Sequence, residues 1–291
     1  MLDYNSIAEL IQAAKKENIT ISELVIRDQA EQTETPREKL FARMRDNLHV
    51  MQEAVAEGTA QDLKSTSGLT GGDAYKMQQY SKTGGLCGSF FGNALTRALA
   101  VSEYNAAMGK IVAAPTAGSC GILPGTILSL LEERELPEEI AVMALFTAGA
   151  FGMVIANKAS IAGAQGGCQA ECGSASAMAA AALVEMAGGT PEMCGHACAI
   201  AIKNQLGLVC DPIAGLVEVP CVKRNAGGVA CAFTAAELAL AGIQSVIPVD
   251  EVIDAMREVG DAMPCALKET ALGGLAATPT GIRLKQEIFG E

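Results

Sequence analysis

Between Ile140 and Pro191 the sequence carries only three charged side chains, Lys158, Glu171 and Glu185. A stretch of that length that offers water so little must lie inside something, either a protein core or a bilayer. Its most apolar part, IAVMALFTAGAFGMVIA from Ile140 to Ala156, is 17 residues long, at the lower limit of the ~17–25 residues that a membrane span needs. It is rich in Gly and Ala, and it follows ELPEE, where Pro137 is placed to start a helix. The expectation is therefore a central helix of a globular protein, buried on every side, with no membrane span.

The flanks are amphipathic and helical. Three N-terminal starts pair a hydroxyl with a Glu three residues on: Ser6 with Glu9, Thr20 with Glu23, and Thr35 with Glu38, where Pro36 would take the first helical position. Apolar residues follow at helical spacing, as in Ile7, Leu10, Ile11 and Ala14, and in Leu40, Met44, Leu48, Met51 and Val55. Further helices are expected near 88–109, 124–134, 174–187, 192–206, 226–243 and 250–259, with few alternating β-branched runs to compete. Aromatics make up only 4% of the chain and Trp is absent, so Ala and Gly do much of the filling and let helices approach closely. The fold class read here is all-α, one catalytic domain over 1–291, with an amphipathic helical part (1–63) packed on a 64–291 core.

A net charge of −12 with no basic stripe argues against nucleic-acid binding. The N-terminus, MLDYNSIAELIQAAKKEN, lacks a basic segment followed by a continuous apolar one, so a cytoplasmic protein is expected. In a reducing compartment its ten cysteines point to buried thiols, a metal or catalytic sulfur rather than disulfides.

Chemistry concentrates in Gly-rich connections. KSTSGLTGGDAYK, Lys64 to Lys76, places Ser65, Thr66, Ser67 and Thr70 among Gly68, Gly71 and Gly72 ahead of a helix, a composition that suits either a small-anion nest or an ordinary capped loop. No Gly-Lys-Ser/Thr follows at Walker spacing. APTAGSCGILPG, Ala114 to Gly125, sets Thr116, Ser119, Cys120 and Gly121 before Pro124, a candidate first helical residue. A Cys120 nucleophile would need a base, and the two histidines, His49 and His196, read as structural. The i,i+4 pairs Cys168/Cys172 and Cys194/Cys198 suit one helix face, yet no Cys-x-x-Cys knuckle supports zinc. On spacing alone each thiol is as readily a small buried hydrophobe.

Taken together in order, KSTSGLTGGDAYK, APTAGSCGILPG, GGCQAECGSASAMAAAAL, GLVCDPIAGLVEVPCVKRNA and the C-terminal KETALGGLA closely resemble the signature stretches of iron-sulfur-dependent L-serine dehydratases, from about Lys64 to the end. The chain looks like the alpha subunit of the two-chain form. That resemblance implies an all-α catalytic domain, a 4Fe-4S cluster on Cys168, Cys210 and Cys221, and conversion of L-serine to pyruvate and ammonia by β-elimination of water. Three ligands leave one iron open as a Lewis acid. It further implies a separate beta subunit in a hetero-oligomer, docked in part on the acidic N-terminal helices. The tail TPTGIRLKQEIFGE has no Cys to cap the open iron. For the base the candidates are Lys64, Lys268, a hydroxyl of the loop such as Ser67, or a partner group, with solvated surface charge as the alternative reading of both lysines. The hydroxyls and backbone of Ser65, Ser67, Gly68, Thr70, Gly71, Thr116, Ser119, Cys120 and Gly121 would hold substrate. Arg224 would clamp the carboxylate, with Asn225 and Glu171 orienting substrate or ligand. Cys172, Cys194, Cys198 and Cys231 return to packing. The rival readings are a pyridoxal-phosphate lyase, which needs a Schiff-base Lys, and a membrane or scaffold protein built on 140–156.

Overall fold

The computed structural model describes residues 4–290. In chain order its helices are α1 (Ile7–Glu17), α2 (Ile21–Gln32), α3 (Arg37–Gly58), α4 (Asp73–Ser81), α5 (Gly88–Ala106), α6 (Ile122–Glu133), α7 (Glu138–Lys158), α8 (Gly163–Gly166), α9 (Ser174–Met186), α10 (Pro191–Lys203), α11 (Cys221–Leu240), α12 (Val249–Ala262) and α13 (Pro279–Phe289). A π turn spans Gln169–Gly173. No strand forms among the described residues; one isolated parallel bridge joins Cys210 to Lys268.

Local sequence explains the starts of the first two helices. Glu9 N donates to Ser6 Oγ at 3.1 Å and Glu23 N to Thr20 Oγ1 at 3.2 Å, satisfying amides that have no partner inside the helix. The third expected cap does not form. Pro36 is extended, so α3 begins one residue later at Arg37, and the Thr35 hydroxyl donates instead to Thr33 O at 3.1 Å.

Carboxylates from other elements complete these ends. Asp250 accepts from Ile7 and Ala8 N, Glu185 from Ile21 and Ser22 N, and Glu103 from Asp73 and Ala74 N. Each carboxylate meets the positive end of a helix and locks two elements together.

The core is built around α9, which packs against α6, α7, α10 and α11. Every residue of SASAMAAAALVEM except Glu185 is buried. Small side chains allow this crowding: a Cβ on Gly58 would lie 2.0 Å from Ala100 O, and one on Gly121 2.3 Å from Ala98 O. The close approaches of α3 and α6 to α5 therefore require glycine.

The sequence expectation of a helix buried on every side belongs to α9 rather than to α7. Helix α7 rests on α2, α3, α9 and α12, while Ile140, Gly149 and Ala156 face outward. Two other boundaries shift. Helix α6 begins at Ile122, making Pro124 its third residue, and α11 begins at Cys221 rather than near 226. Gly227 and Gly228 lie within α11, where a Cβ on Gly228 would meet Ile122 Cδ1 at 2.4 Å. Helix α13 was not among the helices expected.

Candidate active site

The early start of α11 decides the site. It places Cys221, Arg224 and Asn225 on the first turns of a helix that packs on the turn Ala117–Ser119 and on the π turn. The π turn begins directly after Cys168 and carries Glu171 and Cys172. The third side is the segment around Cys210, whose N–H donates to Leu267 O at 2.8 Å and whose carbonyl accepts from Glu269 N at 2.7 Å. Non-glycine residues with left-handed φ lie in these last two strips of chain, Ala214 at 58°, Glu269 at 62° and Ala271 at 55°. Such angles persist only where surrounding contacts hold them.

Cys168 and Cys210 are each 2% exposed and Cys221 is 7% exposed. Burial pushes the Cys221 thiol up to about 12 and the Cys210 thiol well above its usual range. The Cys168 and Cys172 sulfurs lie 3.4 Å apart and share a hydrogen. That bond holds Cys168 below the ordinary thiol value against the effect of burial, and the nearby Arg224 charge acts in the same direction. Cys172 thus stands in the site, although sequence reasoning assigns it to packing.

Arg224 reaches Asp211 Oδ1 at 2.8 Å and Val209 O at 2.7 Å. Its fork is engaged within the chain, so the carboxylate clamp expected from sequence is not what this guanidinium forms. Asp211, 3% exposed, also accepts from Leu275 N at 2.8 Å and so ties the KETALGGLA segment to the Cys210 loop. Asn225 is likewise occupied: it accepts from Gly121 N and donates to Gly118 O and Cys221 O. It positions the 116–121 turn against Cys221.

Glu171 lies between two glycines. A Cβ on Gly118 would sit 3.1 Å from Oε1, and a Cβ on Gly163 would sit 2.7 Å from Oε2 and 3.1 Å from Cys210 Sγ. The Thr116 hydroxyl donates to Oε1 at 2.8 Å, and the Cys210 thiol stands 3.9 Å from Oε2. Burial raises the pKa of this carboxyl. Ser119 is buried beside Thr116, 3.2 Å between hydroxyls.

The 64–72 loop is held through a residue that sequence reasoning missed. Glu218, 6% exposed, accepts from Ser67 Oγ at 2.9 Å and Thr70 Oγ1 at 3.2 Å. The expected anion nest therefore already receives a carboxylate of the chain itself, three residues before Cys221. Ser65 closes the same loop, donating from N to Thr70 O and accepting at Oγ from Thr70 N. A Cβ on Gly71 would meet Leu63 O at 2.2 Å, while Gly68 turns in open space. The signal for Asp211 and Glu218 was present: both are acids inside an otherwise apolar bracket, CDPIAGLVEVPC.

Of the other expected residues, Cys120 falls outside. Cys120 packs with Ala54 and Val101, its thiol pushed up to about 12 by burial, and Gly121 serves the α5–α6 contact. Lys64 is exposed to solvent. Lys268 is bridged to Cys210 through its backbone and lines a cavity of about 400 Å³ with Gln169, Arg257 and Asp261.

The three thiols do not converge on a single ion position: among the described residues no three His, Cys, Asp or Glu side chains do. They instead come from three segments into one another's neighbourhood, close enough for their charges to interact, with soft sulfur donors and Arg224 beside them. That arrangement fits a polynuclear centre, in which each cysteine holds a different metal atom, better than it fits zinc.

Fold and site together define an all-α protein with buried thiols and a carboxylate gathered at the ends of its helices. Residues 16–276 match the family model of the serine dehydratase alpha chain. The chain is 56% identical to the probable L-serine dehydratase alpha chain of Bacillus subtilis (strain 168), over 99% of this chain and 96% of that one. It is 44% identical to the L-serine dehydratase alpha chain of Peptoniphilus asaccharolyticus, over 99% of each. It also matches L-serine dehydratase 1 of Escherichia coli (strain K12), at 44% identity over 62% of this chain and 40% of that longer one. The chain belongs to the serine dehydratase alpha chain family.

Proposed function

We propose that this chain is the alpha subunit of a cytoplasmic L-serine dehydratase, a lyase that converts L-serine to pyruvate and ammonia, and that Cys168, Cys210 and Cys221 hold a 4Fe-4S cluster. The observation that carries the reading is that these three buried cysteines, from three separate segments, lie near enough to act on one another electrostatically, in a chain of this family. When bound, a cluster with three cysteine ligands supplies one iron as a Lewis acid toward a hydroxyl leaving group.

The chain's own groups prepare that site. Arg224 keeps positive charge beside Cys168 and, through Asp211, fixes the Cys210 loop. Asn225 sets the 116–121 turn, and with it Thr116, against Cys221. Glu218 holds the Ser67 and Thr70 hydroxyls on the stretch that ends at Cys221. Of the groups considered for the α-proton, Ser67 and Lys268 stay adjacent to the cysteine segments and Lys64 does not. A separate beta chain, implied by the "alpha chain" of the relatives' names, completes the enzyme.

The test is anaerobic purification with the coexpressed beta chain, assays of iron and sulfide, and L-serine deamination. A brown protein with iron and sulfide in equal amounts and serine-dependent pyruvate formation is expected. A colourless, iron-free protein that still deaminates serine overturns the cluster reading, and full activity of the alpha chain alone overturns the two-chain reading.

A further inference from the structure

The carboxylates held inside this fold divide sharply by what they bind. Glu103, Glu185 and Asp250 each accept two backbone amides at a helix N-terminus. Asp211 has a guanidinium and an amide, and Glu218 has two hydroxyls. Glu171 alone in this group has one short donor, the Thr116 hydroxyl on Oε1. Its Oε2 meets only the Cys210 sulfur, at 3.9 Å, and a metal-bound sulfur has no hydrogen to donate. A carboxylate offers about four acceptor positions, and a largely buried one that lacks donors is costly unless something arrives to fill them.

The backbone packs close on two sides of it: a Cβ on Gly118 or Gly163 would press on the two oxygens, at 3.1 and 2.7 Å, while the residue keeps a partly exposed face. No Lys, Arg or His forms an ion pair with Glu171 among the described residues. Arg224 and Asp211 pair with each other, and Glu269 adds a further negative charge near Glu171. What the site lacks is a compact cation with several N–H donors.

We propose that Glu171 accepts the α-ammonium group of the substrate, making it the residue that selects an amino acid over the corresponding hydroxy acid. The assignment rests on the serine dehydratase reading above. An ammonium presents three donors, enough to engage Oε2 and still reach a neighbouring hydroxyl such as Ser119. The substrate's carboxylate and β-hydroxyl are then left to the rest of the site, so the contact bears on binding and not on the leaving group.

Glu171→Gln in the alpha–beta holoenzyme tests this, because it keeps shape and the Thr116 contact while removing charge. Two ligands are compared: L-serine, through KM, and 3-hydroxypropanoate, which retains the carboxylate and β-hydroxyl but has no ammonium, through calorimetric binding. The expected result is a KM for L-serine raised roughly ten- to a hundredfold, the range for a hydrogen bond to a charged group. Affinity for 3-hydroxypropanoate and iron content per chain should stay as in the wild type. The assignment is overturned by equal weakening of both ligands, by loss of iron, or by a fall in kcat with KM unchanged, which would mark a proton-transfer role. If the wild-type holoenzyme does not turn over L-serine at all, the dehydratase reading falls, and this assignment with it.

Discussion

Two groups of cysteines in this protein are almost equally hidden from water, and only one of them looks like chemistry. Cys194 and Cys198 on α10 are 1% and 0% exposed; Cys168, Cys210 and Cys221 are 2%, 2% and 7% exposed. Burial raises both thiols of the first pair, and they sit in the interior of a regular helix within the Ala-rich core. The second group occupies the ends of elements: the residue before a π turn, an isolated bridge and the first residue of a helix. Burial therefore does not separate a packing thiol from a ligand. Element ends, with charged groups such as Arg224, Asp211 and Glu171 close by, do.

The largest effect expected from that contrast is on the metal centre. Cys168→Ser, Cys210→Ser or Cys221→Ser should each lower L-serine deamination by at least about a hundredfold, the upper end of what losing a mere outer partner of a metal ligand costs, with iron lost in parallel. Cys194→Ser should keep iron and activity per folded chain, and show only the ~1–3 kcal/mol stability loss of a hydroxyl buried in an apolar place. If all four variants retain iron alike, the division between the two groups is wrong.

Next in size is the ion pair that braces the site. Asp211→Ala leaves the Arg224 guanidinium, 17% exposed, without its counter-charge, and removing one partner of a buried pair costs about 3–5 kcal/mol. Urea unfolding of the alpha chain measures it. The double variant Asp211→Ala/Arg224→Met should lose less than the two single losses combined, because the residues act as a unit. Strict additivity would show that the pair is incidental.

Smaller again is the latch between the hydroxyl loop and the second cysteine segment. Glu218→Ala removes two hydrogen bonds, at about 1 kcal/mol each, and should raise KM for L-serine with iron retained. Glu218→Gln keeps an acceptor for Ser67 and Thr70 and should recover most of the loss. An alanine variant indistinguishable from wild type in KM would remove the loop from the site.

Much of the fold was legible because it depends on local signals: two of three capping boxes, the helical periodicity of the N-terminal part, and an uncharged middle that had to be core. What misled were residues whose meaning depends on distant partners. Pro36 displaced the Thr35 cap by taking extended geometry, and the helix expected from about 226 already runs from Cys221, with Gly228 giving α6 room to approach α11. The cysteines could be placed by resemblance, but not the residues around them. Arg224 and Asn225 have the right chemistry to bind a substrate, yet Asp211, Gly118, Gly121 and Cys221 already engage them, and nothing in their own neighbourhood of sequence reveals that. Glu218 stood out as an acid inside an apolar bracket, but its partners, about 150 residues away, could not be read from that signal.

The weakest expected effect concerns a carboxylate that, unlike Glu171, accepts two backbone amides at a helix start. Glu185 accepts from Ile21 N at 3.0 Å and Ser22 N at 3.3 Å, and burial still raises its pKa above the ordinary 4.5. A carboxyl with a raised pKa in the folded state binds more protons there than when unfolded, so stability is greatest below about pH 4.5 and declines as pH rises through the folded value. One group contributes a slope no steeper than about 1.4 kcal/mol per pH unit. Glu185→Gln has no proton to lose and keeps an oxygen for the two amides, so its stability relative to wild type should improve as pH rises across that window and level off above it. Denaturant unfolding at a series of pH values reads this directly. A difference that is flat with pH would mean that the positive end of α2 offsets the cost of burial completely, and the helix-capping carboxylates would then differ from Glu171 in electrostatics as well as in hydrogen bonding.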